Sequence, residues 1–216
     1  MIKGMIFDMD GVLVNSEPGY FERRNRYFKS IGLPTDYDPE LFIGWTLPQV
    51  LPKVFPQLPA EDYAKVQAGY DEYKRLHPID FKKRLMPGVV PALIQLKARG
   101  LKLAIASSSM TLEIQRLIKA LEVPKDFFDA VVSGEEVAET KPSPLIYQRA
   151  LAKLALLPKE AVVIEDSPVG IQSARSAGIE VWAKRDPRFD QQQAKYIFEN
   201  WSEVPVLLGK KRDAAK

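Results

Sequence analysis

The sequence contains no cysteine and only one histidine, and these two shortages exclude several kinds of site. Without cysteine there can be no disulfide, no thiolate nucleophile and no cysteine–zinc site. A multi-histidine metal site is impossible, and a Ser-His-Asp triad would have to use His77. Pro78 follows His77 directly, which favours a solvated position at the end of a helix. Any catalysis must therefore depend mainly on carboxylates, lysines, hydroxyl groups or a bound metal ion.

Long apolar runs and a strong charge imbalance are also missing. No run approaches the roughly 18 residues of a membrane-spanning helix, and the strand-like start of the chain predicts no signal peptide. The net charge is +3, and the basic residues are scattered except for 210–212, which we interpret as a frayed, solvated tail. We therefore expect a cytoplasmic, monomeric protein that binds neither membrane nor nucleic acid.

The order of apolar segments predicts the fold class. Residues 2–7 have the pattern of a buried strand. From residue 87 onward, helical segments alternate with short apolar strands, which we place at 101–106, 130–132, 161–164 and 179–183. Strands separated by helices of this length form parallel sheets covered on both faces, with right-handed crossovers. The sequence therefore predicts an α/β fold with a Rossmann-like, doubly wound parallel sheet.

A second domain is predicted within this fold. Residues 15–81 contain helical spacing of apolar residues interrupted by proline and glycine, and no clear strand. The first strand must nevertheless join the sheet formed by the rest of the chain. We therefore predict a small all-α helical bundle at 15–81, inserted into an α/β core formed by 1–14 and 82–216.

The carboxyl ends of four predicted strands carry the candidate functional residues. Ligands of an open parallel sheet bind at this edge. In chain order the residues are Asp8 and Asp10, then Ser107, Ser108 and Ser109, then Lys141 after Glu135 and Glu136, then Glu165 and Asp166.

Each of these groups also has a purely structural explanation. Asp8 and Asp10 are typical of a turn around Gly11, and the serines are typical helix caps. Lys141 is one of many lysines that could be solvated, and residues 165–168 have the pattern of a helix start. Their common position favours function, because independent structural causes need not place acids, hydroxyls and a lysine at one sheet edge.

Four carboxylates at one edge need a compensating cation. Without one, their mutual repulsion would raise some of their pKa values. Mg²⁺ is typically bound by one or two carboxylates, waters and a substrate phosphate. Lys141 adds a positive charge, and Ser107 adds a donor for phosphate oxygens. The sequence therefore predicts a phosphoryl site in which a carboxylate is one candidate nucleophile.

The same residues form a set of motifs found together in one family. There are four motifs: Asp8-Met9-Asp10-Gly11-Val12-Leu13, Ser107, Lys141-Pro142 and Glu165-Asp166-Ser167-Pro168-Val169-Gly170. The chain resembles the haloacid dehalogenase-like hydrolases over about residues 1–205, in the subgroup of β-phosphoglucomutase and the small sugar-phosphate phosphatases. The resemblance implies that residues 15–81 are a cap domain that closes over the site.

The resemblance also implies a role for each motif residue. Asp8 would be the nucleophile, and Asp10 the general acid that later activates water. Ser107, Ser108 and Lys141 would bind the phosphoryl group. Mg²⁺ would be held by Asp8, the backbone carbonyl of Asp10, and Asp166, with Glu165 as a further ligand.

The implied activity is a Mg²⁺-dependent phosphatase for a small phosphate monoester, a sugar phosphate or a similar metabolite, with an aspartyl-phosphate intermediate. Asp10 and Asp166 argue against dehalogenation. A hexose-phosphate mutase of the β-phosphoglucomutase type is the alternative, but Tyr20 replaces the mutase histidine and residues 43–48 contain no arginine. A non-catalytic phosphate-binding module is a second alternative. We expect the substrate to be selected by Tyr20, Gly44, Trp45 and Thr46.

Overall fold

Six parallel strands form the centre of the larger unit in the computed structural model, which describes residues 1–42 and 47–213. The spatial order is β3-β2-β1-β4-β5-β6, so the chain starts in the middle of the sheet. The strands are β1 Gly4–Phe7, β2 Lys102–Ser107, β3 Ala130–Ser133, β4 Ala161–Glu165, β5 Glu180–Lys184 and β6 Tyr196–Phe198.

The described part of the chain contains eight α-helices. Three belong to the unit Ser16–Asp80, and five belong to the unit formed by Met1–Asn15 and Phe81–Lys216. In chain order they are α1 Glu17–Ser30, α2 Leu47–Val54, α3 Ala60–Leu76, α4 Val89–Ala98, α5 Thr111–Ala120, α6 Leu145–Leu154, α7 Pro168–Ser176 and α8 Glu203–Asp213.

Both faces of the sheet are buried. Successive strand residues point to opposite faces, and all four residues of β1 are buried. Ile6 packs in a core with residues of α6 and α7, whereas the ring of Phe7 lies 6.0 Å from that of Trp201, just before α8. A parallel sheet covered in this way has near-continuous apolar strands. The sheet and its flanking helices confirm the predicted fold class.

The register of β1 fixes which residues reach the carboxyl edge. Phe7 is paired with Ile105 of β2 and with Ile164 of β4. The residues immediately after β1 and at the ends of β2 and β4 therefore lie at neighbouring positions of one edge. This pairing brings together the loops that carry the candidate residues.

The unit Ser16–Asp80 is helical and has its own apolar core. Tyr27 and Phe28 of α1 pack with Phe55 and with Tyr70 of α3. The Tyr27 hydroxyl donates a hydrogen bond to the carbonyl of Val66 at 3.0 Å, which joins α1 to α3. His77 directly follows α3, is exposed, and stacks on Tyr73 with ring centroids 3.8 Å apart.

The C-terminal part of the fold is more regular than the sequence indicated. Neither β6 nor α8 was among the predicted elements. Residues 210–212, interpreted above as a frayed tail, lie within α8, so that interpretation was wrong. Among the described residues, no helix combines the length and apolar character needed to cross a membrane.

Candidate active site

Asp8 follows β1 directly and is buried, with 7% of its surface exposed. Its backbone N–H donates to the carbonyl of Ile164 at 3.0 Å, which continues the β1–β4 pairing by one residue. The chain then turns at Gly11, whose φ of +78° favours glycine. A Cβ at Gly11 would lie 1.9 Å from Asp166 Oδ2. The glycine therefore lets the turn approach a second buried acid.

Lys141 lies between two of the buried carboxylates. Its Nζ is 2.5 Å from Asp8 Oδ1 and 2.6 Å from Glu165 Oε1, and its side chain is 8% exposed. Burial opposes the positive charge of Lys141, but the carboxylates of Asp8 and Glu165 outweigh burial and hold the lysine pKa well above its ordinary value. Lys141 is therefore a fixed cation beside Asp8, and the solvated alternative does not apply.

Glu165 is fully buried at the end of β4, and both of its carboxylate oxygens accept hydrogen bonds. Oε1 accepts from Lys141 and, at 2.8 Å, from the hydroxyl of Tyr147 on α6. Oε2 accepts from the backbone N–H groups of Asp166 and Ser167 and from the Ser167 hydroxyl. Burial tends to raise the pKa of Glu165, but Lys141 and these donors lower it below its ordinary value. Glu165 is therefore held ionised and fixed in position.

The acids at this edge carry more negative charge than Lys141 offsets. Asp8, Glu165 and Asp166 each have a carboxylate oxygen within 4.8 Å of a carboxylate oxygen of the other two. Burial raises the pKa of Asp8 to about 7, and the Glu165 carboxylate adds to that increase. Burial, together with the carboxylates of Glu165 and Asp8, raises the pKa of Asp166 well above its ordinary value. A buried oxygen-donor set with excess negative charge fits a hard divalent cation.

The three serines after β2 differ in their surroundings. Ser107 is buried at the strand end, and its Oγ accepts from the backbone N–H of Ser109 at 3.1 Å. Ser108 is exposed. The Ser109 hydroxyl donates to Asp10 Oδ2 at 2.8 Å, which joins the β2 loop to the β1 loop.

The helix-cap explanation does not hold for these serines. α5 begins at Thr111 after an N-cap residue, Met110, that makes no side-chain capping bond. The N–H of Thr111 is bound by Glu135 Oε2 at 2.9 Å. At the end of β4, in contrast, Ser167 does cap a helix, because its Oγ accepts from Gly170 N–H at 3.2 Å.

Two residues that contact the site were missed by sequence reasoning. Tyr147 has no motif around it, and its hydroxyl is directed to Glu165 by the packing of α6. Gln191 is a buried residue between β5 and β6 whose Nε2 donates to the carbonyls of Asp166 at 2.6 Å and Lys184 at 2.7 Å. Nothing in the sequence distinguishes Gln191 from Gln192 and Gln193, so no signal was available to find it.

The structure thus brings most of the predicted site residues to one sheet edge. Hydrogen bonds and ion pairs connect Asp8, Lys141, Glu165 and Asp166. Asp10 accepts a hydrogen bond from Ser109, in the loop after β2, and Ser107 lies at the end of that neighbouring strand. Tyr20 belongs to the helical unit, where the Arg23 guanidinium lies 5.3 Å from its ring centroid. The other three predicted specificity residues, Gly44, Trp45 and Thr46, lie outside the described residues.

The fold and this edge define an α/β protein with a doubly wound parallel sheet and a buried acidic centre. A family model described as haloacid dehalogenase-like hydrolase matches residues 5–184. The chain therefore belongs to the haloacid dehalogenase-like hydrolase family, as the motifs indicated.

Individual relatives give the same picture. The chain is similar to a phosphorylated carbohydrates phosphatase of Thermotoga maritima, with 36% identity over 83% of each chain. It is 29% identical to hexitol phosphatase B of Escherichia coli, over 87% of this chain and 88% of that protein. Among solved structures, CbbY from Rhodobacter sphaeroides in complex with phosphate has a TM-score of 0.77 at 25% identity, covering 94% of this chain and 96% of that chain.

Proposed function

We propose that the protein is a Mg²⁺-dependent phosphatase that hydrolyses a small phosphate monoester, a sugar phosphate or a similar metabolite, through an aspartyl-phosphate intermediate. The observation that carries the proposal is the position of Asp8. Its carboxylate lies at the end of the central strand, beside the fixed cation of Lys141 and within reach of Glu165 and Asp166. The phosphatase names of the two curated relatives support the same reaction.

The acidic centre is the proposed metal site. We assign Asp8, Asp166 and the backbone carbonyl of Asp10 as ligands, with Glu165 at the same centre. The hydrogen bonds that Glu165 already accepts favour a supporting role, in which it fixes Lys141 and the backbone of Asp166. A bound Mg²⁺ ion would supply positive charge that offsets the negative charge of the phosphoryl group.

The first half of the reaction uses both acids of the β1 loop. A carboxylate oxygen of Asp8 forms a bond to phosphorus while the bond from phosphorus to the ester oxygen breaks. Asp10, in its protonated form, gives its proton to that leaving oxygen, so that an alcohol departs. Lys141 and the hydroxyls of Ser107 and Ser108 donate hydrogen bonds to the phosphoryl oxygens.

The second half regenerates the enzyme. The Asp10 carboxylate takes a proton from a water molecule, and the water oxygen attacks the phosphorus of the aspartyl-phosphate. The bond between phosphorus and Asp8 breaks, which releases inorganic phosphate and returns Asp8 to its carboxylate form. Asp10 is protonated again and ready for the next ester.

Substrate choice is proposed for the helical domain, residues 15–81. Its compactness as a unit, Ser16–Asp80, supports treating it as a separate domain from the core. Tyr20, Gly44, Trp45 and Thr46 are the proposed specificity residues. The cytoplasmic location and the monomeric state stay predictions.

The decisive experiment compares Asp8→Asn with the wild type on a panel of phosphorylated sugars, polyols and other metabolites with Mg²⁺. We expect phosphate release to fall by at least about 10³-fold, because the amide is a poor nucleophile. Rapid quenching and peptide mass spectrometry of the wild type should find a phosphoryl group on Asp8. The matched control is Asp62→Asn, which removes a partly exposed carboxylate paired with Lys65 and should leave turnover unchanged.

Two results would contradict the proposal. One is an Asp8→Asn variant that is folded and keeps more than a tenth of the wild-type rate. The other is conversion of a sugar phosphate to its isomer without release of phosphate, which would establish the mutase instead.

A further inference from the structure

Ser109 has no role in the reaction described above, yet its position in the loop after β2 is fixed from both sides. Its backbone N–H donates to Ser107 Oγ at 3.1 Å, and its carbonyl accepts from the N–H of Gly134 at 3.2 Å. The backbone that carries the Ser109 hydroxyl is thus bound to the last residue of β2 and to the residue that follows β3.

Thr111, the first residue of α5, is hydrogen-bonded to residues at the end of β3. Thr111 donates its backbone N–H to Glu135 Oε2 at 2.9 Å and its hydroxyl to Ser133 Oγ at 2.9 Å. Both partners lie at or just after the end of β3. The backbone is therefore fixed at Ser109 and again at Thr111. These contacts limit movement of the backbone that carries the Ser109 side chain.

The Ser109 hydroxyl is directed to the candidate acid and not to the helix that follows. Its Oγ lies 2.8 Å from Asp10 Oδ2, across 99 residues of sequence. α5 receives no side-chain cap from its N-cap residue, so helix capping does not account for this serine. A hydroxyl that donates to one carboxylate oxygen restricts rotation of that carboxylate.

We propose that Ser109 is a positioning residue for Asp10, the acid and base of the proposed function on which this inference rests. By holding Oδ2, the serine keeps the Asp10 carboxyl group in the orientation needed to transfer its proton. The proton passes from Asp10 to the ester oxygen as the bond from that oxygen to phosphorus breaks. Ser109 itself gives up no proton and forms no bond to the substrate.

The proposal predicts a defect that depends on the leaving group. An alkoxide needs a proton from Asp10 as it departs, whereas p-nitrophenolate is a weak base that departs without one. The ratio kcat/KM reports the steps up to formation of the aspartyl-phosphate, so the later hydrolysis of that intermediate does not obscure the comparison. Mispositioning of a general acid lowers the rate only where the acid is needed.

The experiment measures kcat/KM of the wild type and Ser109→Ala on p-nitrophenyl phosphate, phenyl phosphate and glucose 6-phosphate. We expect a decrease of about tenfold or more on glucose 6-phosphate, a smaller decrease on phenyl phosphate, and less than about threefold on p-nitrophenyl phosphate. Ser109→Thr keeps the hydroxyl and should restore most of the glucose 6-phosphate activity. Thr111→Ala removes the neighbouring hydroxyl, which contacts Ser133, and should show no dependence on the leaving group.

A double-variant comparison tests whether the effect passes through Asp10. In an Asp10→Asn background the acid is already lost, so adding Ser109→Ala should lower kcat/KM by less than about twofold on all three esters. An equal decrease on all three esters in the single variant would show that Ser109 is only structural and would overturn the inference. The inference would also be overturned if Ser109→Ala lowered kcat/KM as much in the Asp10→Asn background as it does in the wild type.

These results are separate from a failure of the proposed function. If the wild type releases phosphate and Asp8→Asn does not, the phosphatase stands whatever Ser109→Ala does. If the wild type releases no phosphate from these three esters or from any member of the metabolite panel, both the function and the inference are wrong.

Discussion

A fully buried glutamate beside a buried aspartate and a buried lysine is costly unless every charge has partners, and Glu165 illustrates how this is achieved. The five hydrogen bonds that its oxygens accept come from Lys141, Tyr147, Asp166 and Ser167. Such donors stabilise the ionised form in a medium where an unpaired charge is strongly unfavourable. This arrangement leaves almost no free space around the carboxylate.

Gly170 shows how little space there is. A Cβ at this position would lie 1.7 Å from Glu165 Oε1 and 2.0 Å from its carboxyl carbon. We therefore expect Gly170→Ala to displace Glu165, to lower the free energy of unfolding by about 1–3 kcal/mol, and to reduce phosphatase activity. The measurement is urea unfolding followed by far-UV circular dichroism, together with an activity assay.

Gly209 on α8 provides the matched control for this substitution. In the described part of the chain, no atom apart from the chain neighbours and the backbone of the same helix lies within 4 Å of a Cβ at Gly209. We therefore expect Gly209→Ala to stabilise the helix by about 0.5–1 kcal/mol and to leave activity unchanged. If Gly170→Ala is as stable and as active as the wild type, the close contact with Glu165 has no consequence and the expectation is wrong.

At the scale of elements, the segment after β3 must be held in place because it leads to Lys141. Glu136, in the short 3-10 turn Gly134–Glu136, connects this segment to α6. Its Oε2 accepts from Lys153 Nζ at 2.8 Å and from Arg149 Nε at 3.0 Å, and its Oε1 accepts from Ser133 N–H. The Lys153 hydrogen bond is the largest cause that lowers the pKa of Glu136 to about 2, and Arg149 adds to it.

The lowered pKa gives a stability difference with a defined pH window. Glu136 has an ordinary value of 4.5 and a folded value of about 2, so its stabilising effect is fully present above pH 4.5 and is lost as the pH falls through 2. Because the ion pairs are partly solvated, Glu136→Gln should cost less than about 1 kcal/mol at neutral pH. The difference from the wild type should shrink as the pH is lowered from 4.5 toward 2.

Urea unfolding at pH 7, 5, 4 and 3 (set by buffer) measures this difference, with Glu139→Gln as the control. Glu139 is an exposed acid in the same segment, and its removal should leave the free energy of unfolding nearly unchanged at every pH. A difference for Glu136→Gln that grows on acidification has the wrong sign for these ion pairs and would refute their stabilising role.

At the scale of the whole molecule, the end of the chain stabilises the start of the sheet. Trp201 is 1% exposed, and its ring contacts Phe7 of β1 and Phe198 of β6. Its Nε1 donates to the carbonyl of Val12 at 3.2 Å, across 189 residues of sequence. Val12 lies in the loop that begins with Asp8, so the C-terminal segment is hydrogen-bonded to the loop that carries the candidate active-site acids.

Removing this side chain should therefore affect both stability and the site. We expect Trp201→Ala to lower the free energy of unfolding by about 3–5 kcal/mol, because it leaves a cavity and an unpaired carbonyl. Trp201→Phe should cost less, since it keeps most of the ring volume. Urea unfolding measures both, and Leu157→Ala, at an exposed position, should change stability by less than about 0.5 kcal/mol. A loss below 1 kcal/mol for Trp201→Ala would show that the C-terminal segment contributes little.

The sequence by itself was sufficient for the fold class and for the list of candidate residues. Strands that alternate with helices form a parallel sheet, and a parallel sheet places its loops at one edge. That reasoning found Asp8, Asp10, Lys141, Glu165 and Asp166 without any coordinates. It missed β6 and α8, and it assigned residues 210–212, which lie within α8, to a frayed tail.

Only the tertiary structure decided which of these residues touch and what supports them. The contact of Ser109 with Asp10 and that of Gln191 with Asp166 join loops far apart in sequence. Such contacts depend on strand register and on the path of each loop, and both are set by packing of the whole sheet. A hydrophobic pattern determines which face of a strand is buried, but it contains no information on which polar atoms meet across a sheet edge.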